Sequence, residues 1–222
     1  MNDNKSPFSS SEYDRKIRQT LPYYDEFYQQ VIELVKSFHL KSVKWLDIGC
    51  GTGKMGSIAL EKVKPEKFVF CDSSEEMIKI AKERFDLPNT EFSVCDAQNL
   101  EYTNEFDVIT AIQVNHYLKR NERMKVLKKC YNALKDNGLF ISFENFAPFT
   151  DVGKSVYLEK WSRYQLKQGK SLEECKAHIG RYGKDYFPIT LSEHMELMQN
   201  CGFKAAEILW LSNMQVGLWG MK

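Results

Sequence analysis

What the chain does not carry narrows it first. It has almost no net charge: 31 basic against 30 acidic residues leave +1 over 222 residues. No long-range field therefore steers it onto nucleic acid or an anionic membrane. No apolar run approaches the ~20 residues needed to span a bilayer, and Met1–Ser11 is too polar to act as a signal peptide. The six cysteines (50, 71, 95, 130, 175 and 201) include no C-x-x-C pair. Several lie in apolar runs, as Cys71 and Cys95 do, where a thiol behaves as a small hydrophobe. Reduced thiols in a cytoplasmic protein are expected, with no metal site. Internal repeats and low-complexity stretches are also missing.

What is present is the composition of a globular protein, 43% hydrophobic and 13% aromatic, long enough for one buried core with a small appendage. Residues 1–12 read as a flexible tail. Phe27, Tyr28, Val31, Ile32, Val35 and Phe38 then fall on one face of a helix over Asp25–Phe38. Leu21-Pro22-Tyr23-Tyr24 ahead of it is stiffened by its proline. Strands are predicted at Val43–Ile48, Lys67–Cys71, Glu91–Cys95, Phe106–Ile112 and Leu139–Phe143, each separated from the next by helical spacing or a turn. Ser73 and Glu76 read as a capping box, and Gly138 as the left-handed end of the helix containing Met124, Leu127, Tyr131 and Leu134.

Strands alternating with helices predict an α/β fold: a doubly wound, mostly parallel sheet with helices on both faces. The pattern breaks after Glu144. Residues 145–189 form a long excursion with helices near Asp151–Gln168 and from Ser171, the size of a lid or substrate-binding element. A capped helix from Thr190 and two strands joined at Ser212-Asn213 complete the chain as an antiparallel hairpin. A single domain is expected, with an N-terminal cap over residues 13–40, a ligand-binding core over 41–144, the insertion over 145–189 and the last helix and hairpin over 190–222.

The chemistry concentrates at Leu46-Asp47-Ile48-Gly49-Cys50-Gly51-Thr52-Gly53. An apolar strand stops at an acid and turns through alternating glycines into a helix, whose unpaired N–H groups and dipole face the turn. Asp72 and Asp96 close the next two strands, at the strand ends where doubly wound sheets bind ligands. Asp72, about 20 residues past the glycines, suits a ribose. Asp96, followed by Ala97, suits an adenine amine, and Asp47 under the turn suits an ammonium group. Gly51, Gly53 and Gly56 also satisfy G-x-G-x-x-G, the weaker signature of a nicotinamide dinucleotide. The acid ahead of the glycines, the third acid after strand three and the terminal hairpin all oppose that reading.

Together these motifs, with Phe106-Asp107-Val108-Ile109, make the chain resemble the class I S-adenosylmethionine-dependent methyltransferases over about Val43–Glu144. The resemblance implies a Rossmann-like seven-stranded sheet with its last strand inserted antiparallel, and S-adenosyl-L-methionine as cofactor, released as S-adenosyl-L-homocysteine. It implies that the Gly49–Gly53 backbone, with Cys50 and Gly51, holds the methionine part. Asp72 would take the ribose, with Ser73 and Met77 beside it, and Asp96-Ala97 would meet adenine. Gln113 onward would border the transferred methyl. Leu21–Asp25 resembles the N-terminal cap of small-molecule and wobble-uridine-modifying members, which assigns Tyr24 to the cofactor.

His116 at the mouth of the site is the candidate general base. His178, Arg181, Tyr182 and Tyr186 are candidates for a polar or anionic acceptor, Arg181 supplying the charge. The expected activity is methyl transfer to a small molecule by in-line displacement. A tRNA acceptor would use the basic surface of Lys119, Arg120, Lys125, Lys128 and Lys129, and a non-catalytic cofactor-binding module is the third alternative. No membrane partner is expected.

Overall fold

A computed structural model describes residues 6–222, and it forms one seven-stranded sheet in the order β3-β2-β1-β4-β5-β7-β6. The strands are β1 (Lys44–Ile48), β2 (Lys67–Asp72), β3 (Thr90–Val94), β4 (Phe106–Ile112), β5 (Leu134–Asn145), β6 (Ala205–Ser212) and β7 (Gln215–Met221). β1 to β5 pair in parallel, and β7 enters antiparallel between β5 and β6. The chain order reverses between β1 and β4, which opens a crevice beyond their carboxyl ends.

The central strands are buried on both faces, and alternation sorts their side chains. Trp45, Phe68 and Phe70 point into a cluster covered by α2 (Tyr24–Ser37), α3 (Lys54–Lys62) and α4 (Glu75–Phe85). Leu46, Ile48, Val69 and Cys71 point into the opposite cluster, under α5 (Arg120–Ala133) and α8 (Leu191–Cys201). Phe70 stacks between Phe85 (5.6 Å) and Phe92 (5.1 Å). A Cβ on Gly56 would stand 2.2 Å from the Phe70 ring, so a side chain there would drive α3 off the sheet.

Ahead of the sheet lies α1 (Tyr13–Thr20), and the insertion contributes α6 (Asp151–Lys167) and α7 (Leu172–Ile179). Trp161 Nε1 of α6 donates to Thr20 O at 2.6 Å, and the Tyr164 hydroxyl donates to Arg18 O at 2.9 Å. The N-terminal elements and the insertion are thereby joined on the ligand side of the sheet.

Three local expectations are met differently. Residues 6–12, read as part of a flexible tail, carry the buried Phe8, which packs edge-on to Tyr13 at 6.5 Å; residues 1–5 lie outside the described residues. The cap of α4 is Ser74, whose hydroxyl accepts from Met77 N at 3.1 Å, because Asp72 Oδ1 accepts Ser74 N and sets the turn one residue later than Ser73. The left-handed residue after α5 is Asn137 (φ 63°), not Gly138; β5 begins at once at Leu134 and folds through this turn to reach its parallel register.

Gly56→Ala should lower the unfolding free energy by about 1–3 kcal/mol, as overpacking does. Urea titration reads this as a lower midpoint at unchanged slope.

Candidate functional site

The glycine turn owes its shape to two contacts. Gly49 (φ 62°) has no room for a Cβ, which would fall 2.4 Å from Val114 Cγ2. Gly51 (φ 54°) is the opposite case: a Cβ there would meet nothing nearer than Tyr13 Cε1 at 4.0 Å, so bare main chain faces open space. Gly51 N donates to Asp72 Oδ2 at 2.9 Å while Ser74 N donates to Asp72 Oδ1 at 2.9 Å. One carboxylate therefore joins the turn after β1 to the start of α4.

Three neighbouring spaces that share lining residues open above this turn. The largest, about 760 Å³, runs past Gly49, Gly51, Asp72, Ser73, Met77, Asp96, Ala97 and Gln113. A second, of about 300 Å³, lies over the turn between Tyr24, Asp47, Cys50 and Lys54. The third, an inner chamber of about 370 Å³, lies under Phe8 and is lined by His116, Tyr117, His178, Arg181 and Tyr186. Tyr13 walls all three, and Gln113 belongs to both the largest space and the chamber.

The electrostatics differ between the spaces. Asp47 is 2% exposed and accepts from Thr110 Oγ1 at 2.7 Å. Burial raises its pKa from 3.8 to about 7, opposed by the Thr110 bond and reinforced by Asp72. The Tyr24 hydroxyl accepts from the Tyr28 hydroxyl at 2.6 Å, and burial raises the pKa of both. Asp96 Oδ1 accepts from Gln98 N and caps the short turn that carries Ala97.

In the chamber, burial pushes the His116 imidazole well below its ordinary pKa, with Arg123 and Arg181 adding to the effect. Its Nδ1 has no hydrogen-bond partner among the described residues. His116, expected at the mouth of the site, instead lies buried at the chamber wall, where its imidazole is a weak base. Its backbone is tied to the insertion, for Phe187 N donates to His116 O at 2.6 Å. Arg123 holds the same junction, pairing with the buried Glu144 at 2.8 Å and donating to Phe187 O at 2.9 Å.

The structure brings every expected cofactor residue to the first two spaces, Tyr24 on the side of the turn and Asp96 at the far end. His178, Arg181 and Tyr186 come together in the chamber. Tyr182 does not join them: it packs behind Tyr186 at 5.7 Å and its ring lies under Lys154 Nζ. Sequence reasoning missed Tyr13 and Tyr117. Tyr13 starts a short face with Ile17 and Leu21 at helical spacing, a signal hidden by its closeness to the polar N-terminus. Tyr117 adjoins His116 and hydrogen-bonds Arg181.

A methyltransferase-domain family model matches residues 46–138. The carboxy-S-adenosyl-L-methionine synthase of Nautilia profundicola is 25% identical over 205 residues, 92% of this chain and 88% of the relative. Both resemblances support a class I S-adenosylmethionine-dependent methyltransferase. Solved structures agree in fold. A possible histamine N-methyltransferase of Thermotoga maritima superposes with TM-score 0.61 at 21% identity, covering 96% of this chain and 95% of the other. A Mesorhizobium loti S-adenosylmethionine-dependent methyltransferase gives 0.63 at 14%, covering 86% and 96%.

The protein is an enzyme that uses S-adenosylmethionine. Its residues fit that group: an open glycine backbone, an acid at or near each of three strand ends, and adjoining spaces beyond them. Among the described residues no cluster of His, Cys, Asp and Glu could hold a metal, and no helix is long and apolar enough to cross a membrane.

The raised Asp47 pKa has a consequence for the ligand-free methyltransferase. Between pH 3.8 and about 7 the unfolded chain has lost the proton that the folded protein keeps. Folding stability from this group therefore falls as pH rises through that window and is level above it. Asp47→Asn should flatten this part of the stability curve, read by urea midpoints across the pH series.

Proposed function

We propose that this methyltransferase transfers the methyl group of S-adenosylmethionine to a small-molecule acceptor in the inner chamber. One observation carries the reading. The chamber adjoins the largest space at Gln113 and Tyr117, and residues 6–8, α1 and the end of the insertion cover it. A chamber covered by chain in this way suits a small organic molecule better than a nucleotide within a folded tRNA. The basic face that a tRNA would need is partly neutralised, Arg120 lying against Glu193 and Glu196.

The cofactor, when bound, supplies a methyl group already activated on a sulfonium. In this reading Asp72 receives the ribose hydroxyls, Asp96 and Ala97 face adenine, and Ser73 and Met77 flank them. Gly49, Cys50 and Gly51 present main chain to the methionine part, and Asp47 faces its ammonium group near Tyr24. Gln113 and Tyr13 border the passage to the chamber. The chain's contribution to rate is then alignment of the acceptor and exclusion of water. Neither His116 nor His178 is a strong base, so the acceptor's reacting atom enters already unprotonated.

A second reading follows from the curated relative, which is named for making carboxy-S-adenosyl-L-methionine. Arg181 favours it: a cation in the chamber beside the cofactor space could hold a carboxyl group carried on the cofactor itself. Incubating the enzyme with methyl-labelled S-adenosylmethionine and a metabolite extract separates the two by mass spectrometry. Methyl transfer gives a labelled small molecule and S-adenosylhomocysteine; the second reading gives a cofactor enlarged by a carboxyl group and no labelled acceptor. Label in tRNA, with binding that falls steeply with salt, would overturn both.

Two further outcomes test the roles. Asp72→Ala should weaken S-adenosylhomocysteine by ~2–3 kcal/mol, roughly 30- to 150-fold; calorimetry giving an unchanged affinity would remove Asp72 from the site. Cofactor affinity should rise with pH through about 7, as Asp47 ionises to face an ammonium group. Calorimetry on Asp47→Asn should show that rise abolished.

A further inference from the structure

Behind the chamber stands a half-buried lysine that lines neither cofactor space. Lys170 Nζ donates to Thr20 Oγ1 at 2.6 Å and to Gln165 Oε1 at 3.1 Å, and lies 5.2 Å from the Phe8 ring centre. Among the described residues no carboxylate forms an ion pair with it, so its burial costs free energy that needs a return. An ammonium group has only donors. The Gln165 amide must therefore give Lys170 its oxygen and turn its NH2 the other way. Gln165 is 0% exposed, and its Nε2 lies 3.0 Å from His178 Nδ1.

That arrangement fixes a proton. His178 is neutral, since burial, with Lys170 and Arg181 nearby, lowers its pKa to about 3. Nδ1 accepts from Gln165, so the single ring proton resides on Nε2. Donation runs one way, from Lys170 through Gln165 to His178.

The chamber is correspondingly rich in donors. The Tyr186 hydroxyl belongs to a residue 2% exposed and has no partner among the described residues. Arg181 brings the cation; its Nε donates to Asp185 Oδ2 at 2.8 Å, and its guanidinium also bonds the Tyr117 hydroxyl. No Asp or Glu lines the chamber, whereas Phe8, Ile17 and Leu21 supply apolar wall. A planar group that only accepts, attached to an apolar body, complements this lining.

We propose that the chamber holds its ligand through a carboxylate, received by Arg181, the Tyr186 hydroxyl and His178 Nε2–H, and that Lys170 is the positioning residue that keeps the His178 proton on Nε2. The inference rests on the chamber being the acceptor site. The carboxylate belongs either to the acceptor or to a carboxyl-bearing cofactor, and the two arms of the test distinguish them.

Imidazole ¹⁵N spectra of the S-adenosylhomocysteine complex resolve the four histidines of the chain, with His178 assigned by its loss in His178→Phe. The Nε2–H tautomer is expected in the native protein, and Nδ1–H in Gln165→Glu, where a carboxylate accepts from both neighbours. In the first arm the same complex is titrated with benzoate and with benzamide. Benzoate should bind at least tenfold more tightly. Lys170→Met and Gln165→Glu should remove that preference at unchanged S-adenosylhomocysteine affinity, and Lys170→Arg should retain it.

In the second arm carboxy-S-adenosylmethionine replaces S-adenosylmethionine. Tighter binding of the carboxylated form, lost in the same two variants and without a benzoate preference, places the carboxylate on the cofactor. An Nδ1–H tautomer in the native protein overturns the proposal, as does equal binding within both pairs of ligands. Failure of the native protein to bind S-adenosylhomocysteine would instead overturn the functional reading beneath it.

Discussion

Two backbone N–H groups, those of Gly51 and Ser74, converge on the two oxygens of Asp72. The rest of the ligand side depends on this convergence. It fixes the glycine turn after β1 relative to the start of α4, and so sets the width of the largest space. It also explains why the cap of α4 falls at Ser74. A carboxylate has about four lone-pair positions, so an acid held in this way stays oriented and can still accept hydroxyl groups. A second tie holds the same turn from outside: the Thr52 hydroxyl donates to Asp14 at 2.6 Å, and Arg84 bonds both Asp14 and Thr52 O. α1 is thereby attached to the turn it covers.

The polarity of the site changes along its length. At the turn, carboxylates dominate, and Asp47 is buried far enough for its proton to be in balance near neutrality. At the chamber, carboxylates vanish from the lining and cationic or neutral donors replace them. A cationic group at the turn and an anionic group in the chamber would each meet complementary surroundings, with Gln113 and Tyr13 where the two regions meet. The buried Arg123–Glu144 pair, with Asn115 donating to Glu144 at 2.8 Å, holds the junction from behind by joining the end of β5, the segment after β4 and the insertion.

Much of this was legible before the structure, for reasons that can be named. Strand and helix periodicity is local, so β1 to β5, α5 and the terminal hairpin could be read from spacing, as could the acids at strand ends. The miss at Ser73 was a matter of register, decided by a hydrogen bond from Asp72 that no periodicity encodes. Tyr13 escaped because its value comes from where α1 docks, which depends on contacts more than thirty residues away in sequence, such as Asp14 to Thr52. Tyr182 was included with Tyr186 as part of one polar and aromatic stretch; across the turn at Gly183 (φ 74°) its ring packs beside Tyr186 and under Lys154 and does not line the chamber. The Lys170–Gln165–His178 series was invisible for the same reason, being a tertiary pairing between the two helices of the insertion and the chain that joins them.

Tyr13 walls every one of the three spaces, and Phe8 ahead of it roofs the innermost. A side chain shared in this way cannot retreat from one compartment while leaving its neighbours sealed. Displacing the stretch of chain that carries both would therefore open all three compartments together.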